Sequence, residues 1–347
     1  MKIPLAALVV FAVGAVIAVI VSRPDRSAAT TPQSSAPALA VYEERAPHVL
    51  SELQAYGVQR TTNGVPQTPP SPLAPVPASA FRAPVAAYEV FAGRQLGLME
   101  GQIALLQRDL AAGDRTAAEN AWNAAFARYL ELGAVYLEGP VATLDREIDG
   151  TAGGVPGGTA SPSFTGLHRI EFGLWTGAPL GSLAPWARLL AADVRTLRTV
   201  LPSVSISPLD YATRAHEILE DAVRDLLSGT DVPWSGAGVL GTQAGIAATL
   251  EVVKTLRPLL ANRENVLPVV YQQLETLQAT MTSIVAAHGG RVPTNAQLTQ
   301  AQAEQLDGAM GGALEALAQV PGALETASVP VIPQIPRSAD RVDPIDP

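Results

Sequence analysis

From Val85 to Leu317 apolar residues recur three and four positions apart, and no stretch of that region alternates between apolar and polar. Such a period gives each of a series of helices one buried face and supplies no strand for a sheet. In the first helix, expected over Val85–Ala112, the period is set by Val90, Leu96, Met99, Ile103, Leu106 and Leu110. Gly113-Asp114 stops that helix, and Asp114 is placed to cap a second one that runs to about Leu137. A Gly-rich loop is expected from Gly139 to Pro162. Further helices are expected over about Ser163–Trp175, Pro185–Val200, Pro208–Leu227 (with Ser207 as cap), Gly238–Leu260, Asn265–His288 and Asn295–Leu317. Eight helices with mostly short connections predict an all-α fold of two stacked four-helix bundles, with the junction near Pro202–Pro208.

The flanks of this helical region, 85–320, differ from it. An unbroken apolar run from Leu5 to Val21 follows Met1-Lys2, so residues 1–22 read either as a cleaved secretory signal or as an uncleaved signal anchor. Both readings export the rest of the chain to the periplasmic or extracytoplasmic side. Residues 23–84 read as a Pro-rich linker with a short helix possible over Val41–Tyr56, and 321–347 as a Pro-rich tail.

Composition narrows the chemistry. The chain has no Cys, which excludes a disulfide framework, thiolate metal sites, iron–sulfur clusters and a cysteine nucleophile. Its net charge is −9 and its only lysines are Lys2 and Lys254, so it lacks the basic face that nucleic acid requires. An acidic surface suits cations better.

Three clusters offer ligands for a cation. In Gly166-Leu-His168-Arg-Ile-Glu171-Phe-Gly-Leu-Trp175, the imidazole and carboxylate are three apart and share a helix face beside the stripe of Leu167, Ile170 and Leu174. A structural pairing of His with Glu is the competing reading. In Arg214-Ala-His216-Glu217-Ile-Leu-Glu220-Asp221, His216 and Glu220 border the stripe of Leu219, Val223, Leu226 and Leu227, while Glu217 and Asp221 point farther toward water. In Asp145-Arg-Glu147-Ile-Asp149 three acids precede the Gly-rich stretch Gly150–Gly158, where they oppose the helix dipole. That Gly-rich stretch has no Lys-Ser/Thr and no preceding strand, so it is not a phosphate loop. His-Glu-x-x-His and Gly-x-Ser-x-Gly motifs are absent, and Glu-x-x-His does not occur on two helices.

Together the segments Ala121-Trp-Asn-Ala-Ala-Phe-Ala-Arg-Tyr129, Leu144–Gly150, Gly166–Trp175 and Arg214–Asp221 resemble the imelysin-like family, within it the type that serves extracytoplasmic iron uptake. The resemblance implies a two-bundle helical fold and a metal site that contains His168 and Glu171. It also implies Asp149, at the acidic position that closes the preceding helix. It further implies iron as the metal, with an iron permease and a haem-type peroxidase as partners. Imidazole and oxygen donors equally suit zinc, copper and manganese. His216 and Glu220 complete the set of candidate metal ligands. Tyr129-Leu-Glu131-Leu-Gly133 departs from the family's paired acids after the Tyr, and no cupredoxin domain precedes Tyr88. Two other functions fit the same residues: a cell-surface docking protein with a vestigial site, and a metallopeptidase-like hydrolase with Glu217 or Glu171 as base.

Overall fold

The computed structural model describes residues 74–135, 140–263 and 266–324. The segments read as signal, most of the linker and the end of the tail lie outside the described residues. Among the described residues the structure is all-α, with no strand and no helix long and apolar enough to cross a membrane.

A short 3-10 turn, Ala78–Phe81, leads into α1 (Arg82–Ala112), so the helix begins inside the expected linker. Pro84 is accommodated because the first turn has no intrahelical use for its N–H. Gly113 ends α1 in the left-handed region (φ 76°), and the Asp114 side chain accepts from Ala117 N–H to start α2 (Arg115–Leu130). The stripe of α1 is Tyr88, Ala92, Leu96, Met99, Ile103, Leu106 and Leu110, all buried. Val90, expected in that stripe, is 60% exposed, because it sits two residues past Tyr88 and so on another face.

The second expected helix is divided. α2 stops at Leu130, and a separate helix, α3 (Pro140–Asp149), occupies the first half of the expected loop. Pro140 opens it, as proline favours a first helical position, and its Val141 and Ile148 are buried. There follow α4 (Gly166–Trp175), α5 (Leu180–Val200) and α6 (Pro208–Asp221), with the Ser207 hydroxyl accepting from Asp210 N–H. α6 continues as a π-helical turn, Ala222–Leu227. The chain ends in α7 (Gly238–Leu260), α8 (Val266–Ala287), α9 (Gln300–Leu317) and α10 (Gln319–Leu324).

The helices pack in two groups, α1–α5 and α6–α10, and α7 packs against both. One apolar cluster runs through both groups, from Phe81, Tyr88, Trp122 and Phe126 to Leu274, Met310 and Leu324. The backbone N–H of Val76 donates to the Leu324 carbonyl at 2.9 Å, so the two ends of the described chain meet.

Candidate metal centre

The end of α3 and the start of α4 touch backbone to backbone. Gly150 and Gly166 both have φ of 70°, where L-residues are strained. A Cβ on Gly150 would lie 1.9 Å from Thr165 O, and one on Gly166 would lie 2.3 Å from Ile148 O. The Thr165 hydroxyl also donates to Glu147 O at 3.2 Å. Asp149, last residue of α3, is therefore held beside His168 in the first turn of α4, although a 16-residue connection, 150–165, separates the two helices.

α4 itself is fixed at both ends. Trp122 Nε1–H donates to Leu167 O at 2.8 Å, and Arg115 donates to Leu174 O and to Ala178 O. Trp122 and Phe126 meet the His168 ring edge-on, at 6.5 and 5.7 Å between centroids. The ring is 1% exposed.

Its two nitrogens face different surroundings. Nδ1 lies 2.7 Å from Glu171 Oε2. The other oxygen of Glu171, Oε1, accepts from Ser235 N–H at 2.8 Å, Ser235 Oγ–H at 2.7 Å and Trp234 N–H at 3.3 Å. Glu171 is wholly buried, and these bonds keep it an acceptor. Nε2 points the other way, 3.3 Å from Asp149 Oδ1 and 3.4 Å from Asp231 Oδ1, in line for a hydrogen bond with neither. One donor atom from each of Asp149, His168 and Asp231 lies within 4.8 Å of the others. Ligands about 2 Å from a shared cation lie roughly 3–4 Å apart, so the spacing fits one ion. Burial disfavours charge on the His168 ring, but Asp149, with Asp231 and Glu171, outweighs it and raises its pKa well above the ordinary value. The position beside Nε2 thus favours positive charge.

Asp149, His168 and Asp231 line one wall of a cavity of about 510 Å³ with Thr151, Asp225 and Trp234. A second cavity, about 320 Å³, shares Asp149, Asp225 and Asp231 with the first and adds Asp145, Asp221 and Arg214. Asp145 accepts from Tyr129 OH at 2.6 Å. Burial, with a further contribution from Asp149, pushes the Asp145 pKa up to about 6 despite that bond.

The candidates named from sequence separate here. Asp149, His168 and Glu171 converge, but Glu171 binds the nitrogen remote from the cavity. Arg169 is not its partner: it donates to Thr159 O and stacks on Phe164 and Trp186. His216 and Glu220 lie 3.8 Å from each other and line neither cavity. The buried stripe of α6 is offset from the expected one: its buried residues are Tyr211, Ala212, Ala215, Ile218 and Leu219, and the π-turn shifts the register of Val223–Leu227. In consequence Asp221, expected toward water, lines the second cavity and pairs with Arg214 and Arg224. Asp231 was missed. It sits in the connection between the π-turn and α7, and no helical spacing relates it to His168; a lone Asp between Gly229 and Pro233 is the only local signal.

Residues 85–232 match the family model described as imelysin. Among curated proteins, the iron uptake system component EfeO of Yersinia pseudotuberculosis is 24% identical over 253 residues, which are 71% of this chain and 65% of that protein. The protein of the same name from Escherichia coli K12 is 25% identical over 183 residues, 52% of this chain and 48% of its own length. The chain therefore spans about half to two thirds of the length of these relatives.

Proposed function

Taking this chain as an imelysin-like protein of the EfeO type, we propose that it is the extracytoplasmic iron-binding component of an iron-uptake system. Its cargo is an iron cation, held by Asp149, His168 and Asp231 and passed on to a membrane permease, with a haem-type peroxidase in the same system. The observation that carries this reading is His168 Nε2: a buried nitrogen with no hydrogen bond, set between two carboxylate oxygens. A buried polar atom normally has a partner, and a cation supplies one. Two carboxylates and one imidazole suit a ferrous or ferric ion, and equally zinc, copper or manganese.

The chain's own residues do three things in this mechanism. Glu171 takes the Nδ1 proton in a hydrogen bond, which leaves the Nε2 lone pair directed at the cargo. Asp149 and Asp231 balance the positive charge. The acidic lining of the two cavities, Asp145, Asp221 and Asp225 among them, attracts cations toward the centre. No resident metal or general base is required. Glu171 accepts four hydrogen bonds and Glu217 pairs with Arg214, which supports cation binding over a general-base role for either carboxylate. The apolar run Leu5–Val21 motivates export of the chain, with that run as signal or anchor.

Anaerobic calorimetric titration of the part beyond the signal segment, residues 23–347, with ferrous ion tests the reading. Asp231→Asn and His168→Ala are expected to weaken binding at least tenfold. Equal affinity in both variants and the wild type refutes it.

A further inference from the structure

The stretch 228–237, which joins the π-turn to α7, supplies three parts of the centre: Asp231, the Trp234 and Ser235 groups that hold Glu171, and the Trp234 wall of the cavity. Its own bonds are local: Gly229 N–H and Asp231 N–H return to Leu226 O and Asp225 O, the Ser228 hydroxyl to Arg224 O and Asp225 O, Gly236 N–H to Val232 O and Ala237 N–H to Ser235 Oγ, while Val232 is buried in the core.

A residue from the other end of the molecule completes the attachment. Asn295, in the connection between α8 and α9, donates from Nδ2 to Leu226 O at 2.7 Å and to Leu227 O at 3.3 Å. Its Oδ1 accepts from Val239 N–H at 3.2 Å, and its backbone N–H donates to Gly236 O at 3.0 Å. The amide thus bonds the last carbonyls before the stretch and, after it, the first turn of α7. Leu226 O already accepts from Gly229 N–H, whereas a first-turn N–H such as that of Val239 is a group that a helix end leaves without an intrahelical partner. An amide offers two donors for the carbonyls and an acceptor for an N–H at one place; a carboxylate of the same shape has no donor. The fit is close: a Cβ on Gly238 would come 2.0 Å from Leu226 O and 2.5 Å from both Asn295 amide atoms.

We infer that Asn295 is a positioning residue for the cation centre: by clasping both ends of 228–237 it sets Asp231 directly, and His168 through Ser235 and Glu171. The inference rests on the cation reading of Asp149, His168 and Asp231. Asn295 lies beyond the residues 85–232 that match the imelysin family, so the second helical group takes part in building the centre. Outer hydrogen-bond partners of metal ligands typically carry 10–100-fold in affinity.

The test compares ferrous-ion titrations and thermal melts of the wild type, Asn295→Ala, Asn295→Asp, Thr299→Ala and His168→Ala, with hydrogen exchange of the Asp231, Ser235 and Val239 amides. Thr299→Ala removes the α9 N-cap, whose side chain accepts only from Gln302 N–H. It is a comparably destabilising change that touches nothing in 228–237. Asn295→Ala is expected to weaken ferrous binding 10–100-fold and to speed exchange of the three amides, while Thr299→Ala lowers the melting temperature with affinity unchanged. Asn295→Asp keeps the acceptor for Val239 and removes only the donor; it is expected to show the same loss, and it decides the matter should Asn295→Ala not fold. Wild-type affinity in the folded Asn295 variants, or equal losses in Thr299→Ala, overturns the inference. If His168→Ala binds as the wild type does, the cation reading fails. Exchange then decides the clasp alone, and unchanged exchange in the Asn295 variants overturns it.

Discussion

Replacing Glu171 by Gln changes one group in a wholly buried place, and the structure dictates how the protein must respond. Three donors converge on Oε1: Ser235 N–H, Ser235 Oγ–H and Trp234 N–H. Turning the new amide nitrogen toward them would leave buried donors facing a donor, at about 1–3 kcal/mol for each group left unsatisfied. The amide oxygen therefore keeps the Oε1 position, and the amide N–H faces His168 Nδ1. To accept that bond, the imidazole must move its proton to Nε2, which blocks the lone pair between Asp149 and Asp231. Ferrous affinity is expected to fall 10–100-fold, about 1.4–2.7 kcal/mol. Folding should change less. The three remaining bonds lose charge assistance worth about 1 kcal/mol each, and this is offset in part because no charge is buried. Anaerobic calorimetry with ferrous ion, beside a thermal melt, separates the two quantities. A folded Glu171→Gln protein that binds ferrous ion as the wild type does refutes the claim that Glu171 sets the tautomer of His168.

Three further outcomes are expected. Gly166→Ala puts a methyl group on backbone atoms of Glu147 and Ile148 at positive φ, so urea unfolding should show a loss of about 2–4 kcal/mol; a loss under about 0.5 kcal/mol would mean that the α3–α4 junction yields. Asp145 titrates near 6 in the fold against an ordinary value of 3.8, so the folded state binds more protons between those pH values and stability falls as pH rises through that window. Asp145→Asn removes that cost and keeps an oxygen that can accept from Tyr129 OH, so it should be about 2–3 kcal/mol more stable than the wild type at pH 7, with a flatter pH–stability curve; an unchanged slope between pH 4 and 6 argues against the shift. Trp122→Phe deletes the bond to Leu167 O and part of the stacking on Phe126, with an expected loss of about 1–2 kcal/mol by denaturant melt, and an unaltered midpoint would show that the bond contributes nothing.

Helix type was legible because apolar period is a local property. Gly238–Leu260 could be read to the residue, and the caps at Asp114 and Ser207 follow from residue type alone. The break after Leu130 was not legible, since Tyr129–Val135 has helical composition and what ends the helix is tertiary. Tyr88 OH bonds Glu131 O and Ala134 N, and Gly133 sits against Ile218 with no room for a Cβ. At the centre, the pair His168–Glu171 could be found because helix spacing makes them neighbours. Which of them faces the cavity depends on Ser235 and Trp234, which arrive from a loop beyond α5 and α6. Asp231 comes by the same route, in the connection that follows the π-helical turn Ala222–Leu227.

The bond from Val76 to Leu324 has a consequence in time. The strip that begins the described chain completes its packing only against the helix that ends it, with almost every other described residue made or threaded in between. Contacts this distant along the chain are slow to close. A chain made amino end first can assemble α1 and α2 early, yet Val76 must wait for Leu324 to follow. Until then the Val76 N–H lacks its backbone partner, and a chain cut short within α10 would leave it without one for good.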